Sequence, residues 1–476
     1  MKPSPATRLT CAACGAAPGA DEPWPFTCPN SGRDGADHVL ERVVEPARVR
    51  FATDDSQNPF VRHRELLYSY ERALAHGMSD GEFASLVREL DDAVVRVDGR
   101  GFRETPLRRS TALCDALGVE VRGKDETGNV GGSHKARHLF GLALHLEVAE
   151  RCGLVTRAES DRHPLAIASC GNAALAAAVV ARATDRPLRV YVPADANAAV
   201  LARLRELGAT VATCPRDGQT PGDPCVHAFH GARRGGALPF CVQGSENGLT
   251  IEGGMTLGWE LAGQLARMGE SLTRLFVQAG GGALASATFQ ALREAQALGV
   301  PGPLPRLHAV QTQGARPLRR AYVRVRDRAL ALLGEPEGPP ETDATGDAAL
   351  AARLARPEAL DAVQEVLRHA REHRAGYMWP WETAPHSIAH GILDDETYDW
   401  LVVVRGMLET GGWPVTADEP ALLEARDLAH AAGVRADATG AAGLAGALVL
   451  RRAREVADGE RIGVLLTGIE RAPEAS

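Results

Sequence analysis

Between residues 160 and 245 the chain alternates short apolar runs with amphipathic stretches, and no other feature limits its possible folds as much. Leu165 to Ser169 reads as a strand, Ala173 to Thr184 as a helix, and Leu188 to Pro193 as a strand. Asn197 to Leu207 is a helix stopped by Gly208, and Thr210 to Thr213 is the next strand. Connections this short between like strands require parallel pairing with helical crossovers, which implies an α/β, doubly wound sheet. In such sheets ligands collect at the carboxyl ends of the strands.

The same strand, turn and helix pattern recurs on both sides of this stretch. Val119 to Arg122 reads as a strand, then a charged turn and Gly131, Gly132, Ser133, His134 and Lys135 open a helix from about Ala136 to Ala149. A cation at a helix N-terminus opposes the macrodipole, so Lys135 should lose its proton more easily than a surface lysine, as an amine that forms Schiff bases must. Ser169, Cys170, Gly171 and Asn172 follow a strand and precede a helix, where hydroxyl, amide and free backbone N–H groups suit a carboxylate. The plainer reading of that turn is an ordinary helix cap. Arg274 to Gln278 reads as a strand feeding Gly280, Gly281, Gly282 and Ala283 at another helix start, a phosphate-sized cup without the spacing of a Walker or Rossmann loop. Leu307 to Thr312 and Ile462 to Leu466 are further strands, the latter ending in Thr467 and Gly468.

Length and charge bound the remainder. With 476 residues, 45% of them hydrophobic and 24% charged, the chain can bury two or three cores. The net charge of -8 argues against nucleic acid or an anionic membrane as partner, and no run reaches the length of a membrane span. The opening residues lack the apolar core of a signal peptide, and the nine cysteines are mostly scattered, so a reducing, cytoplasmic setting is expected. Cys11, Cys14 and Cys28 begin a zinc-ribbon pattern, but Ser31 stands where the second pair should close. His38 would complete it only with irregular spacing. The favoured reading is a degenerate knuckle with no metal.

Residues 60 to 100 read as packing helices. The proline- and glycine-rich stretch 330 to 350 reads as an exposed insertion. Tyr377, Trp379 and Trp381 form an aromatic cluster that either packs between helices or lines a pocket.

Taken in order, these motifs resemble the tryptophan synthase β-like, fold type II family of pyridoxal-phosphate enzymes, most closely its threonine synthase and serine/threonine dehydratase branches. The resemblance runs from about Thr105 to Gly468. It implies that Lys135 carries pyridoxal 5'-phosphate as a Schiff base beside His134, and that Ser169, Cys170, Gly171 and Asn172 hold the substrate carboxylate, with Asn172 also near the cofactor. Gly280, Gly281, Gly282 and Ala283 would hold the phosphate, and Thr467 would meet the pyridine nitrogen. Glu252 to Thr256 and Asp437 to Ala441 match further family elements. Ala283 departs from a fourth glycine and Asp437-Ala438 from Glu-Pro, while His134 is closer to the tryptophan synthase pattern. The organisation expected is an N-terminal extension (1–100), a large cofactor domain (101–155 and 245–476, with an insertion at about 313–385) and a small substrate domain (156–244).

A neutral Thr467 at the ring nitrogen makes a weaker electron sink than a carboxylate partner, which favours β-elimination from an amino acid over transamination. The expected function is therefore a lyase of the serine/threonine ammonia-lyase kind, with a small-molecule amino acid as substrate and no nucleic-acid or membrane partner, in a homo-oligomer such as a homodimer. Threonine synthase-like conversion of phosphohomoserine, β-replacement, and a cofactor-bearing sensor without activity are the alternatives. A threonine synthase needs a second phosphate site, for which Arg137, His138 and Arg316 are the only cations in view.

Overall fold

The computed structural model describes residues 5–216, 222–342 and 346–471. Twelve strands are present among them: β1 (Thr7–Cys11), β2 (Leu40–Val44), β3 (Leu107–Arg109), β4 (Glu120–Asp125), β5 (Leu165–Ala168), β6 (Leu188–Pro193), β7 (Thr210–Cys214), β8 (Leu238–Pro239), β9 (Arg274–Gln278), β10 (Arg306–Thr312), β11 (Val415–Ala417) and β12 (Arg461–Leu466). They form a hairpin β1-β2, a six-stranded sheet in the order β11-β10-β9-β12-β4-β3, and a four-stranded sheet in the order β7-β6-β5-β8. Every pair in the smaller sheet is parallel. In the larger sheet only the edge pair β3-β4 is antiparallel. The α/β expectation from the strand and helix alternation is met in both sheets.

Burial explains why the strands differ in composition. β9 is covered on both faces and all five of its residues are buried, whereas β7, on the edge of the smaller sheet, has none buried. β4 extends past Arg122 to Asp125, so Lys124, expected in a charged turn, is a strand residue with 0% exposure. Its ammonium is tolerated there because it donates to Glu260 (2.7 Å), Gln264 (2.9 Å) and the Thr105 carbonyl (2.8 Å).

The helix Lys135–Arg151 is buried on nearly all sides and lies against the helix Thr250–Met268. Glycines make the crossing close: a Cβ on Gly141 would sit 2.9 Å from the Gly253 Cα, and one on Gly254 would sit 2.1 Å from the His138 ring. The Glu252 to Thr256 stretch thus serves the seating of the lysine helix. Helices Tyr68–Ala75 and Asp80–Asp98 share a core with the smaller sheet, where Leu86, Val87, Leu142, Ala176 and Ile167 are all buried. The stretch expected as an exposed loop at 330–350 includes 343–345, outside the described residues, and runs into a helix at Asp347–Leu354. Asp347 is buried there by ion pairs to Arg319 (2.9 Å) and Arg326 (3.1 Å). No helix among the described residues is long and apolar enough to cross a membrane.

Candidate active site

Lys135 begins its helix directly beyond the loop that follows β4, with Ser133 and His134 buried beside it. The Lys135 N–H faces Ser133 Oγ at 3.4 Å. Its ammonium has no hydrogen-bond or ion-pair partner among the described residues, and burial lowers its pKa, with the charge of Asp394 opposing. The direction agrees with the expectation from sequence, and loss of solvent around the amine is its main cause. His134 is held well below the ordinary range by burial and then by Lys135, and its Nδ1 is a buried atom without a partner.

The other turns lie at strand ends. Ser169 to Asn172 lie between β5 and the helix Asn172–Ala183, with Ser169 Oγ 3.5 Å from the Gly171 nitrogen. Asn172 Oδ1 accepts from Arg471 at 2.8 Å, and its Nδ2 stands 3.0 Å from where a Cβ on Gly468 would be. Cys170 is open on the cleft wall, its thiol pKa raised by partial burial and then by Asp394. Thr467 ends β12 and accepts from Gln278 Nε2 at 2.6 Å, which leaves its hydroxyl proton to donate. Ile469 N–H donates to the Gly132 carbonyl at 2.8 Å, tying the end of β12 to the loop that carries Lys135.

Gly280, Gly281 and Gly282 follow β9 and precede the helix Ala283–Ala297. Their composition is dictated by a segment that crosses them. A Cβ on Gly280 would lie 2.2 Å from Asp394 Oδ2 and 2.7 Å from the Ile392 Cα, and one on Gly282 would lie 2.9 Å from Thr397 Cγ2. Gly282 also has φ +90°, which L side chains avoid. The Asp399 N–H donates to the Gly281 carbonyl at 2.9 Å, locking the crossing segment down. Ala283 is already the first helical residue, so a fourth glycine is not required by its backbone.

Asp394 is the site residue that the sequence did not disclose. Burial raises its carboxyl to about 6, opposed by Lys135 and by the Gly281 N–H. The signal available was three consecutive acids, Asp394, Asp395 and Glu396, directly after the apolar pair Ile392 and Leu393. Asp437, expected to stand for a family glutamate, caps its own turn by accepting from the Gly440 N–H at 2.6 Å, and burial raises it to about 6.

Two of the cations considered for a second phosphate are committed elsewhere. Arg137 is fully buried, its guanidinium on Glu126 (2.9 Å) and Glu260 (2.7 Å). His138 Nδ1 pairs with the Thr250 carbonyl at 3.0 Å, and burial brings its pKa down to about 3. Arg316 is half-buried beyond β10, with Nε unpartnered. Trp379 and Trp381 stack around Arg320, 3.7 and 5.4 Å from its guanidinium carbon, so this aromatic cluster holds a cation. A cavity of about 320 Å³ lies behind Gly131 and Gly132, lined by Asp98, Arg100, Arg203 and Arg471 but not by Lys135.

The structure thus places a half-buried lysine without a partner among the described residues, a glycine turn at a helix N-terminus and a Ser-Cys-Gly-Asn turn at strand ends. The profile of the pyridoxal-phosphate dependent enzymes matches residues 100–378. The chain belongs to this family. Among curated relatives of this pyridoxal-phosphate enzyme, a probable D-serine dehydratase of Burkholderia pseudomallei is 32% identical over 182 residues, 34% of this chain and 40% of that protein. Threonine synthase of Methanosarcina acetivorans is 27% identical over 267 residues, 55% of this chain and 59% of the relative. These matches span about half the length of the relatives.

Solved structures agree in fold. Threonine deaminase isoform 2 of Solanum lycopersicum has a TM-score of 0.54 at 17% identity, covering 83% of this chain and 92% of that one. Diaminopropionate ammonia lyase of Escherichia coli has a TM-score of 0.55 at 16% identity, covering 82% and 88%. The cofactor is pyridoxal phosphate, as in the family. The donor set fits it: an unpaired amine, an orphaned His134 nitrogen, a glycine turn at a helix start with no side-chain cap and a hydroxyl with a proton to give.

Proposed function

We propose that this protein is a lyase that eliminates a β-leaving group from a small hydroxy-amino acid, releasing the oxo acid and ammonia. The observation that carries the reading is the Lys135 amine, half-buried, without a partner among the described residues and with a lowered pKa, at a helix start that the Ile469 N–H to Gly132 bond ties to the end of β12. Lys135 is assigned as the attachment point of pyridoxal phosphate and, once free, as the base that takes the Cα proton. Gly280, Gly281, Gly282 and Ala283 are assigned to its phosphate, and His134, Asn172 and Thr467 to its ring. When bound, the cofactor supplies an electron sink conjugated to the substrate Cα.

Ser169, Cys170, Gly171 and Asn172 are assigned to the substrate carboxylate, which orients the Cα–H bond toward Lys135. Thr467, whose oxygen accepts from Gln278 at 2.6 Å, would offer the ring nitrogen a neutral hydroxyl, which does not hold a proton on the ring as a carboxylate would. That arrangement supports elimination ahead of transamination. The named dehydratase and ammonia-lyase relatives support the same reaction class. The burial of Arg137 and His138 weakens the case for a phosphohomoserine substrate.

The reading extends to the organisation of the chain. Residues 156–244 form the small substrate-side domain, 101–155 with 245–476 form the cofactor domain, and the enzyme works as a cytoplasmic homo-oligomer. Nine cysteines with no disulfide among them support the reducing setting. Incubation with the D and L forms of serine and threonine, with assay of oxo acid and ammonia, tests the function. Equal amounts of the two products are expected; an amino group retained on the enzyme with no free ammonia would refute elimination.

A further inference from the structure

Far from the cleft in sequence, the β1-β2 hairpin gathers four metal-ligating side chains. Cys11 ends β1 and pairs with Leu40, which places His38, two residues before that partner, beside it. Cys14 lies in the turn that leaves β1, and Cys28 is buried with Cys11 and Leu40 in a small apolar cluster. The ligand atoms of Cys11, Cys14, Cys28 and His38 all lie within 4.8 Å of one another.

The separations are those of a tetrahedron around a single ion. Zinc bonds of about 2.3 Å to sulfur and about 2.0–2.1 Å to nitrogen give tetrahedral edges of roughly 3.8 Å between sulfurs and roughly 3.6 Å between sulfur and nitrogen. Cys14 Sγ and Cys28 Sγ are 3.7 Å apart. His38 Nδ1 is 3.4 Å from Cys11 Sγ and 3.6 Å from Cys28 Sγ. Thiols are weak hydrogen-bond donors, and packing three of them around one imidazole nitrogen gains little without an ion at the centre.

The groups behind the four ligands are arranged for the same purpose. His38 Nε2 is 2.9 Å from Asp34 Oδ1, a carboxylate partner that holds the ring with Nδ1 toward the sulfurs. Asn30 donates its backbone N–H to Cys28 Sγ at 3.3 Å and its side-chain amide to Cys14 Sγ at 3.4 Å, contacts that favour thiolate sulfur. The sequence pattern looked broken because the fourth ligand is not at position 31. The hairpin supplies it from position 38 instead.

We propose that Cys11, Cys14, Cys28 and His38 bind one structural zinc ion. The closed set of four protein ligands leaves no position for substrate, so the ion holds the fold and takes no part in the reaction. What it holds reaches the cleft. Asp37, next to His38, accepts from Trp400 Nε1 at 3.2 Å, and its N–H donates to the Arg371 carbonyl at 2.8 Å. Trp400 opens the helix that directly follows Thr397 to Asp399, the residues packed on Gly281 and Gly282. The zinc knuckle therefore braces the segment that covers the glycine turn.

The test is metal analysis of the full-length holoenzyme, purified without a metal-affinity tag. About one zinc per chain is expected, retained in Cys152→Ser and in His38→Cys and lost in Cys28→Ser. Because Cys28→Ser could fail to fold, the wild-type protein is also exchanged with cobalt and alkylated before and after chelation. Tetrahedral cobalt–thiolate absorption, and Cys14 protected from iodoacetamide until the metal is removed, are the expected results. Absence of zinc with no cobalt–thiolate bands, or Cys14 labelling indifferent to chelator, would overturn the proposal.

Discussion

Replacing Arg137 by methionine probes the support beneath Lys135, two residues away. The guanidinium is 0% exposed and donates to Glu126 at 2.9 and 3.0 Å, to Glu260 at 2.7 and 3.2 Å, and to Thr256 at 3.1 Å. Burial alone would raise the Glu260 carboxyl, but Arg137 and then Lys124 bring it down to about 2. Arg137→Met leaves the buried carboxylates of Glu126 and Glu260 facing the single ammonium of Lys124. Breaking a buried pair in this way costs about 3–5 kcal/mol. At about 2.1 cal/mol/K per residue the unfolding entropy of a chain this long is roughly 1 kcal/mol/K, so the melting temperature should fall by about 3–5 °C if the chain unfolds as one unit.

Calorimetry of the cofactor-loaded protein measures the loss, and a double-mutant cycle with Glu126→Gln isolates its origin. The neutral glutamine should return more than about 1 kcal/mol in the Arg137→Met background while being destabilising in the wild type. Additive effects, or a shift below about 1 °C for Arg137→Met, would refute the account of Arg137 as the hub of a compensated buried network.

Three further outcomes are expected. Lys135→Ala should lose the visible absorbance band of lysine-bound cofactor and lower kcat by at least about 100-fold, the scale of a missing general base; retention of the band would move the attachment point elsewhere. Gly280→Ala puts a methyl 2.2 Å from Asp394 Oδ2 and 2.7 Å from backbone, an overpacking of about 1–3 kcal/mol. Cofactor titration by fluorescence should show weaker binding by about 5- to 150-fold, and an unchanged dissociation constant would show that the glycine turn is not the phosphate seat. Asp394 has a raised folded pKa, about 6 against the ordinary 3.8, so between these values the folded state holds a proton that the unfolded state has released. Its contribution to stability is therefore lost as pH rises through this window. Urea unfolding of the cofactor-free protein should find Asp394→Asn more stable than wild type at pH 7.5 and equal to it at pH 4, and equal stability at both would remove the assigned burial penalty.

Legibility followed the range of the interactions involved. Strands β6 and β9 were read to the residue, and the turns at Ser169, Gly280 and Thr467 were found, because a strand end, a glycine run and a helix start are all written in adjacent residues. Parallel pairing followed from the short crossovers. Lys124 was misplaced into a turn because its charge is compensated by Glu260, 136 residues further on, and no local pattern announces such a partner. Asp394 was passed over for the same reason: its proximity to Lys135 exists only once the segment after Ala389 folds back across the glycine turn.

By itself, then, the sequence determined the local elements, the α/β class and the helix start that carries Lys135, since these depend on periodicity and on the bond geometry of neighbouring residues. Tertiary structure alone decided that Arg137 is an internal strut, that Asp394 lies against the glycine turn and that His38 meets three cysteines. Each of those facts is a through-space distance between residues far apart along the chain, and folding sets it through burial and charge compensation.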